Sequence, residues 1–428
     1  MHFLYVLSTV VAVVAAGPAN PWTEYLALPQ ITSIVTPVIT GGGHYLEVKY
    51  NGNNDSKLFE IAADLTLDGL QLPEGVAEFA FTGMHLKTLP SGFKWPASLH
   101  AVDLSYNDLV TIPTNAPWPS MLKSLNVHAN KILDCCASLP HALTDLDFGD
   151  NQLRSLRGCM FPPTLETLTL SGNPLKSLAD NQVWPPNLKT LSLSNAQLSQ
   201  VPKQLPKTLQ QFHFASNNLK QFPTQLPASI GFLNLGGNKI TQLPQVIGYP
   251  KLFNLDLSHN QLQSLPEDFT LPSEMAFLSL SHNLLRTLPT NSKWITQVDR
   301  ALYLDSNKLT ALPRDVAFPI ALVVSDNQIT NLENLALPCD FDIQNNPLRV
   351  VSRVTMACDR SYWSTMGDAT LSSFVLEKPV FDQLTALLKG AYYYLYWKTD
   401  DASVLKGCNA EGGTIQKLKG NISVCVVE

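Results

Sequence analysis

Residues Asp256 to Pro266 read DLSHNQLQSLP, with an aspartate, a serine and a histidine inside four consecutive positions. These are the parts of a nucleophilic triad, but a triad is recognised by its geometry, and chain neighbours rarely converge on one reacting atom. The rest of the chain decides between chemistry and architecture. The same pattern returns upstream as VDLSYNDLVTIP (Val102 to Pro113), LTLSGNPLKSL (Leu168 to Leu178) and LNLGGNKITQLP (Leu233 to Pro244), and downstream as LSLSHNLLRTLP (Leu278 to Pro289). Asp256, Ser258 and His259 therefore belong to one unit among many, and Ser279, Ser281 and His282 hold the equivalent places in the next. A pattern that returns at a fixed period is a structural unit.

The pattern resembles the leucine-rich repeat family, L-x-x-L-x-L-x-x-N-x-L-x-x-L. Its fixed Asn falls at Asn107, Asn130, Asn151, Asn173, Asn217, Asn238, Asn260, Asn283, Asn307, Asn327 and Asn346, and Met84 and Ala196 fill the same place in two further repeats, making 13 from about Val76 to Ser352. The resemblance implies an α/β-type repeat fold: a leucine-rich repeat solenoid, curved as a horseshoe, with a parallel β-sheet on its concave side.

Elementary geometry leads to the same coil. In LFNLDLSHN, Leu255 and Leu257 stand two apart, so an extended strand points both to one face and Asn254, Asp256 and Ser258 to the other. One coil cannot bury its Leu face alone, but coils stacked about 4.8 Å apart share a continuous core. The Asn side chain, with donors and an acceptor, can satisfy turn backbone outside the ladder. At Ala196 and Met84 that bonding is missing, and a looser turn is expected. Pro recurs three residues before the first Leu position at Pro73, Pro96, Pro119, Pro140, Pro162, Pro185, Pro206, Pro227 and Pro272. Proline lacks a donor and fixes φ, so the convex half of each coil is expected as polyproline-like or 3₁₀ turns.

Composition suits a long array: of 428 residues only 15% are charged, 30 are Pro, and the net charge of −6 speaks against nucleic acid, which calls for a basic footprint. Residues 1–16, MHFLYVLSTVVAVVAA, form an apolar run ending in small residues, as a signal peptide does, with the mature chain expected to begin at Gly17. That run is shorter than the roughly 20 residues of a membrane span. A secreted, extracellular protein without a membrane span is expected. Seven cysteines suit an oxidising compartment, and the odd count leaves at least one unpaired within the chain. The expected bridges are Cys339 to Cys358, Cys408 to Cys425, and Cys159 to one of Cys135 and Cys136. Cys136 is favoured, because Cys135 takes the place of a core Leu and reads as a buried thiol. No cysteine pair has zinc-site spacing, so no metal or cofactor is expected. Asn54 and Asn421 open N-x-S sequons and are the expected glycosylation sites.

The expected organisation is a signal peptide over 1–16, an N-terminal cap over 17–75, repeats over 76–352 and a small, disulfide-containing α+β cap over 353–428. Within the last, Val380, Leu384, Leu387, Leu388, Ala391 and Leu395 fall on one helical stripe, and a disulfide-tied hairpin follows. The aromatics Tyr362, Trp363, Tyr392, Tyr393, Tyr394, Tyr396 and Trp397 read as cap packing, with a sugar-stacking platform as the alternative.

Function has to be argued from a site, because a repeat fold hosts many functions. The three outward strand positions of each repeat carry Glu78, Asp103, Asp145, Asp147, Asp256, Asp305, Asp340 and Asp342 but no Lys or Arg, and Phe232, Phe277 and Tyr303 form an aromatic streak among them. Candidate ligand-binding residues are Asp103, Asp145, Asp147, His213, Phe232, Asn234, Asp256, Ser258, Phe277, Ser279, Tyr303 and Asp305. Aromatic anchors with polar neighbours suit a protein or peptide ligand, and the negative potential suits a basic one. The opposite flank, three residues past the Asn place, carries Lys87, Arg154, Lys176, Lys220, Arg286 and Arg349, which read as a solvated edge or an anionic-glycan contact. His259 and His282 stand at the rim as neighbouring imidazoles.

The resemblance implies a non-catalytic recognition protein, with inhibition of a secreted enzyme and glycan-binding adhesion as alternatives. Repeats such as VPKQLPKTLQQFHFASNNLKQFP also resemble those of bacterial secreted ubiquitin ligases, whose activity sits in a large separate domain. Here the C-terminal region shows neither G-x-S-x-G nor H-E-x-x-H, which leaves hydrolytic or ligase activity as the remote reading.

Overall fold

The computed structural model describes residues 20, 22–40, 43–62, 64–112, 117–135, 139–357, 369–389 and 397–428. The expected leader over 1–16, Cys136, Cys358 and the aromatics Tyr362, Trp363, Tyr392, Tyr393, Tyr394 and Tyr396 lie outside them, as do Ala391 and Leu395 of the expected stripe. The chain divides into two compact units, residues up to Lys131 with 139–143, and 132–135 with Thr144–Glu428.

The first unit opens with an antiparallel meander, β1 (Ser33–Thr40), β2 (Gly43–Tyr50) and β3 (Asp55–Glu60). Its alternating side chains put Ile34, Leu46 and Val48 inside. Trp22, wholly buried, donates its indole N–H to the Thr66 carbonyl at 2.9 Å. Strand β1 then pairs in parallel with β4 (Glu78–Phe81), which starts the ladder to β5 (Ala101–Asp103) and β6 (Ser124–Asn126). A parallel ladder thus grows on a hairpin strand that closes its first edge.

In the second unit three-residue strands follow one another in parallel, residue opposite residue, from Asp145–Asp147 to Asp340–Asp342. The middle residue of each, as at Leu168, Phe212, Leu255, Leu278 and Leu322, is wholly buried, and its two neighbours face out. This is the parallel solenoid that the repeats predict.

The Asn column works as a ladder of its own. Asn260 accepts the Ile240 N–H of the preceding coil at 2.9 Å, and its amide donates to the carbonyls of Leu235, Leu257 and Ser258. One buried amide thereby satisfies four backbone groups that no strand could reach. The expected looser turns are instead re-closed. After Ala196, Gln197 takes a left-handed φ of +59°, and the Ala196 and Leu198 N–H groups converge on Asn217 Oδ1 at 3.1 and 2.9 Å. Met84 behaves alike in the first unit: His85 has φ of +56°, and the Met84 and Leu86 N–H groups meet Asn107 Oδ1 at 3.0 Å each. In the coil before Ala196, Leu175 turns its N–H to its own Asn173 carbonyl at 2.8 Å.

The proline column opens tight turns. The carbonyls of Pro96, Pro162 and Pro227 accept the N–H of Leu99, Leu165 and Ile230, three residues on, at 3.1 to 3.2 Å. Such turns need no donor from the ring. A regular 3₁₀ helix spans Ser292–Gln297. The last coils depart from turns altogether, because Asn331–Glu333 and Val350–Ser352 form parallel strands on the return side, joined by Ser373–Glu377.

The C-terminal segment holds a helix Lys378–Leu388, a second helix Asp401–Glu411 and a hairpin of Thr414–Leu418 with Ile422–Val427. Cys408 and Cys425 are bonded, but Cys408 sits in the second helix, so the bridge ties helix to hairpin where a hairpin closed on itself was expected. Trp397 is buried and packs edge-on against Phe374, as the cap reading expects. Cys339 is disulfide-bonded, and its expected partner lies outside the described residues.

The favoured bridge Cys136 to Cys159 is corrected: Cys159 bonds Cys135, with Cα atoms 5.1 Å apart. Cys135 does occupy the core Leu place and is buried. That inward direction brings its sulfur to Cys159, so the position read as an inert thiol is the bonded one.

Candidate recognition surface

The outward strand face has a polar logic set by the backbone. Beyond each strand an N–H faces the sheet surface, and a side chain two residues earlier can accept it. Asp103 takes the Ser105 N–H at 2.8 Å in the first unit, and Asn126 takes that of His128 at 2.9 Å. In the second unit Asp147, Asn234, Asp256 and Asp342 do the same for Gly149, Gly236, Ser258 and Gln344. These are Asx turns. Where Ser192 and His213 fill the column a serine of the preceding coil serves instead, as Ser171 and Ser194 hydroxyls accept the N–H groups of Ser194 and Ala215 at 3.1 Å. Half of the acid bias seen in the sequence is therefore a capping device that Asn fulfils equally well.

Of the candidate residues, Asp103 lies in the first unit, where its second carboxylate oxygen also accepts the Asn126 amide at 3.0 Å. The others lie in the second. Asp145 is exposed and accepts the Thr144 hydroxyl at 2.7 Å. His213 packs against Phe232, ring centroids 4.8 Å apart, and burial lowers its pKa from the ordinary 6.5. Asn234, Asp256 and Ser258 crowd one spot beside Gly236, where a Cβ would lie 3.0 Å from Ser258 Oγ and 3.1 Å from Asp256 Oδ2. The missing side chain lets three polar groups share that surface.

Beyond this polar stretch the face turns apolar. Phe277 and Tyr303 are 38% and 37% exposed, and Ser279 lies opposite Tyr303 in the next strand. Phe253 and Ile320, 46% and 47% exposed, stand one residue before their strands and join the same face. The Phe253 ring covers Gly231, 3.0 Å from where its Cβ would be. Counting three outward positions per repeat missed both residues. Their signal was a bulky apolar side chain in a column otherwise held by residues such as Thr144, Glu166, Lys189 and Arg300.

Carboxylates border the apolar patch. Asp305 accepts the Ser281 hydroxyl and lies 3.8 Å from His282 Nε2. Burial, then the charges of Asp305 and Asp326, push the Asp342 carboxyl above its ordinary value. His259 and His282 stack at 4.0 Å with nearly parallel rings, both from left-handed turn positions with φ near +51°. Among the described residues no group of three or more potential metal ligands forms. The flank cations Lys87, Arg154, Lys176, Lys220, Arg286 and Arg349 are all exposed.

A serine cluster lies elsewhere, in the C-terminal segment. Ser423 Oγ accepts from Lys417 Nζ at 2.6 Å and donates to Asp401 Oδ1 at 2.5 Å, and these bonds with Thr399 lower the Asp401 pKa. Ser423 is buried, and its N–H donates to the Thr399 hydroxyl oxygen. With both roles of its hydroxyl engaged, the cluster fastens the second helix to the hairpin.

The Leucine Rich Repeat family model matches residues 251–271. No curated protein matches the chain. Among solved structures it is similar to YopM, a leucine-rich effector protein from Yersinia pestis, at 26% identity over 70% of this chain and 79% of that one, with a TM-score of 0.51. It is also similar to YopM from Yersinia enterocolitica WA-314, at 24% identity over 71% and 76%, with a TM-score of 0.48. A leucine-rich repeat protein from Bacteroides eggerthii shares 17% identity over 71% of this chain and 53% of that one, with a TM-score of 0.50. The repeats, the coils they build and the matching repeat model give the chain a leucine-rich repeat fold.

Proposed function

We propose that the chain is an exported recognition protein that holds a protein or peptide partner on the strand face of its second unit, without chemistry or cofactor. One observation carries this reading: Phe277 and Tyr303 stand exposed on adjacent strands, with exposed Phe253 and Ile320 one strand to either side, among outward residues that are mostly polar or acidic. Exposed aromatics in a polar frame are what interface anchors look like before a partner covers them. The leader over 1–16 supports export, with the segments over 17–75 and 353–428 closing the two ends of the repeats. Asn54, exposed in the turn before β3, and Asn421, exposed in the C-terminal hairpin turn, support glycosylation in a secretory route.

The test is capture of partners by the secreted protein at low and high salt, compared with variants. Phe277→Ala or Tyr303→Ala is expected to cost more than about 1 kcal/mol of binding, as truncated anchors do. Exchanging Lys176 and Lys220 for Ala is expected to leave binding unchanged. Binding lost with the flank cations and kept without Phe277 would move the site to the flank and favour an anionic glycan. Sequencing the secreted chain from Gly17 checks the export step.

A further inference from the structure

Four strands of the second unit make a feature that no single repeat shows. In register across them stand Phe277, Ala301, Ala321 and Asp340, and in the next outward row Ser279, Tyr303, Val323 and Asp342. The first row falls from a ring to two alanines, Ala301 buried and Ala321 part-exposed, and ends on a carboxylate. The second row walls that dip with Tyr303 and Val323 and ends on a second carboxylate. Ala301 and Ala321 stand between Phe277 and Asp340, which lie three strand spacings or about 14 Å apart.

Resting on the recognition reading above, we infer that this trough takes one lysine or arginine side chain of a protein partner. Its aliphatic stem lies over the part-exposed Ala321 beside Tyr303, and its charged head sits between Asp340 and Asp342. Long cationic side chains bury their stems on apolar surface and keep the head among charges. The Tyr303 ring adds attraction for a cation passing over it.

The charges on the page favour a cation over an apolar occupant alone. Asp342 spends its hydrogen bonds on Gln344 N–H and the Ser325 hydroxyl, Asp340 is exposed, and neither pairs with a Lys or Arg among the described residues. Arg300, the residue before Ala301, is bound to its neighbour Asp299 at 2.9 Å. Asp305 and Asp326 add negative charge on the same side of Asp342. A cationic head relieves that crowding, and a norleucine-like chain leaves it.

The experiment uses the full secreted chain with methyl-labelled alanine and watches Ala301 and Ala321 by NMR. The probes are acetyl-arginine amide, its neutral isostere acetyl-citrulline amide, and acetyl-norleucine amide, each at millimolar concentration. Arginine amide is expected to shift both methyl signals in a saturable way, with citrulline and norleucine amides weaker by about fivefold or more, the size of roughly one close charge pair. Asp340→Asn with Asp342→Asn, which keeps the backbone cap at Gln344, is expected to abolish that preference. Methyl signals that stay still, or that answer all three probes alike, overturn the trough. Such a result leaves the recognition reading to its own capture test, where a partner bound equally well by the double Asn variant also removes the trough alone.

Discussion

The Asp256 carboxylate accepts the backbone N–H of Ser258 at 2.9 Å, so this acid serves the fold before it serves any ligand. Asn234 makes the same bond to Gly236 one strand earlier. Two roles are thus superposed on one column, a cap that any Asx residue supplies and a charge that only Asp supplies.

Exchange of Asp256 separates them. Asp256→Asn is expected to keep stability within about 0.5 kcal/mol, whereas Asp256→Ala leaves an N–H without its acceptor and costs about 1 kcal/mol. Denaturant midpoints of the two variants check this. If both lose the same stability the cap is not the reason for the acid. For a basic partner, Asp256→Asn is then the clean probe of steering, expected to slow association mostly at low salt.

Asn217, like Asn107 in the first unit, has more at stake than the other ladder residues, because it serves two N–H groups of the Ala196 coil and donates to Leu193, Phe214 and Ala215 carbonyls. Asn217→Ala is expected to cost about 2 to 4 kcal/mol, since each buried group left unpaired carries its own desolvation penalty. Ala196→Asn is expected to gain about 1 kcal/mol by returning the Leu175 N–H to a side-chain acceptor. Thermal unfolding checks both. A loss at Asn217 no larger than that of an ordinary surface change would remove the ladder from the energetics.

The coil was legible because thirteen copies average out local accidents: Leu255 and Leu257 read as buried, Asn260 as a turn acceptor and Pro227 as a turn residue, and each is so. What escaped has no repeat to read. Cys135 and Cys136 are neighbours in sequence, and only the inward direction of one side chain decides which meets Cys159. Cys408 looked like the foot of a hairpin because nothing marked Asp401–Glu411 as a helix with few buried residues. At the candidate site, Phe277 and Tyr303 were found by alternation, while Phe253 and Ile320 lie just outside the strands where alternation stops. The acids were seen, but half of them answer to the backbone.

The Cys135 to Cys159 bridge closes a segment of 24 residues. Cys135→Ser is expected to cost about 3 kcal/mol, the usual effect of opening a loop of this length. Cys136→Ser is expected to leave the bridge and the stability unchanged. Non-reducing peptide mapping of the two variants decides, and a bridge that survives Cys135→Ser would return Cys136 to the pairing that its sequence position suggested.

His213 gives the strand face a pH dependence of known sign. Burial against Phe232 disfavours its charged form and lowers its folded pKa below the ordinary 6.5. The unfolded chain therefore binds more protons than the folded one between those two values. The contribution of neutral His213 is complete above 6.5 and is lost as pH falls through that value toward the folded pKa. Acidification from about pH 7.5 to about pH 5.5 is thus expected to lower the unfolding midpoint of the protein more than that of His213→Gln, which has no proton to take up. The remaining histidines titrate in both proteins, so the difference between the two curves isolates residue 213. Parallel curves would mean that the ring is solvated enough to charge in place, and that its contact with Phe232 does not hold it neutral.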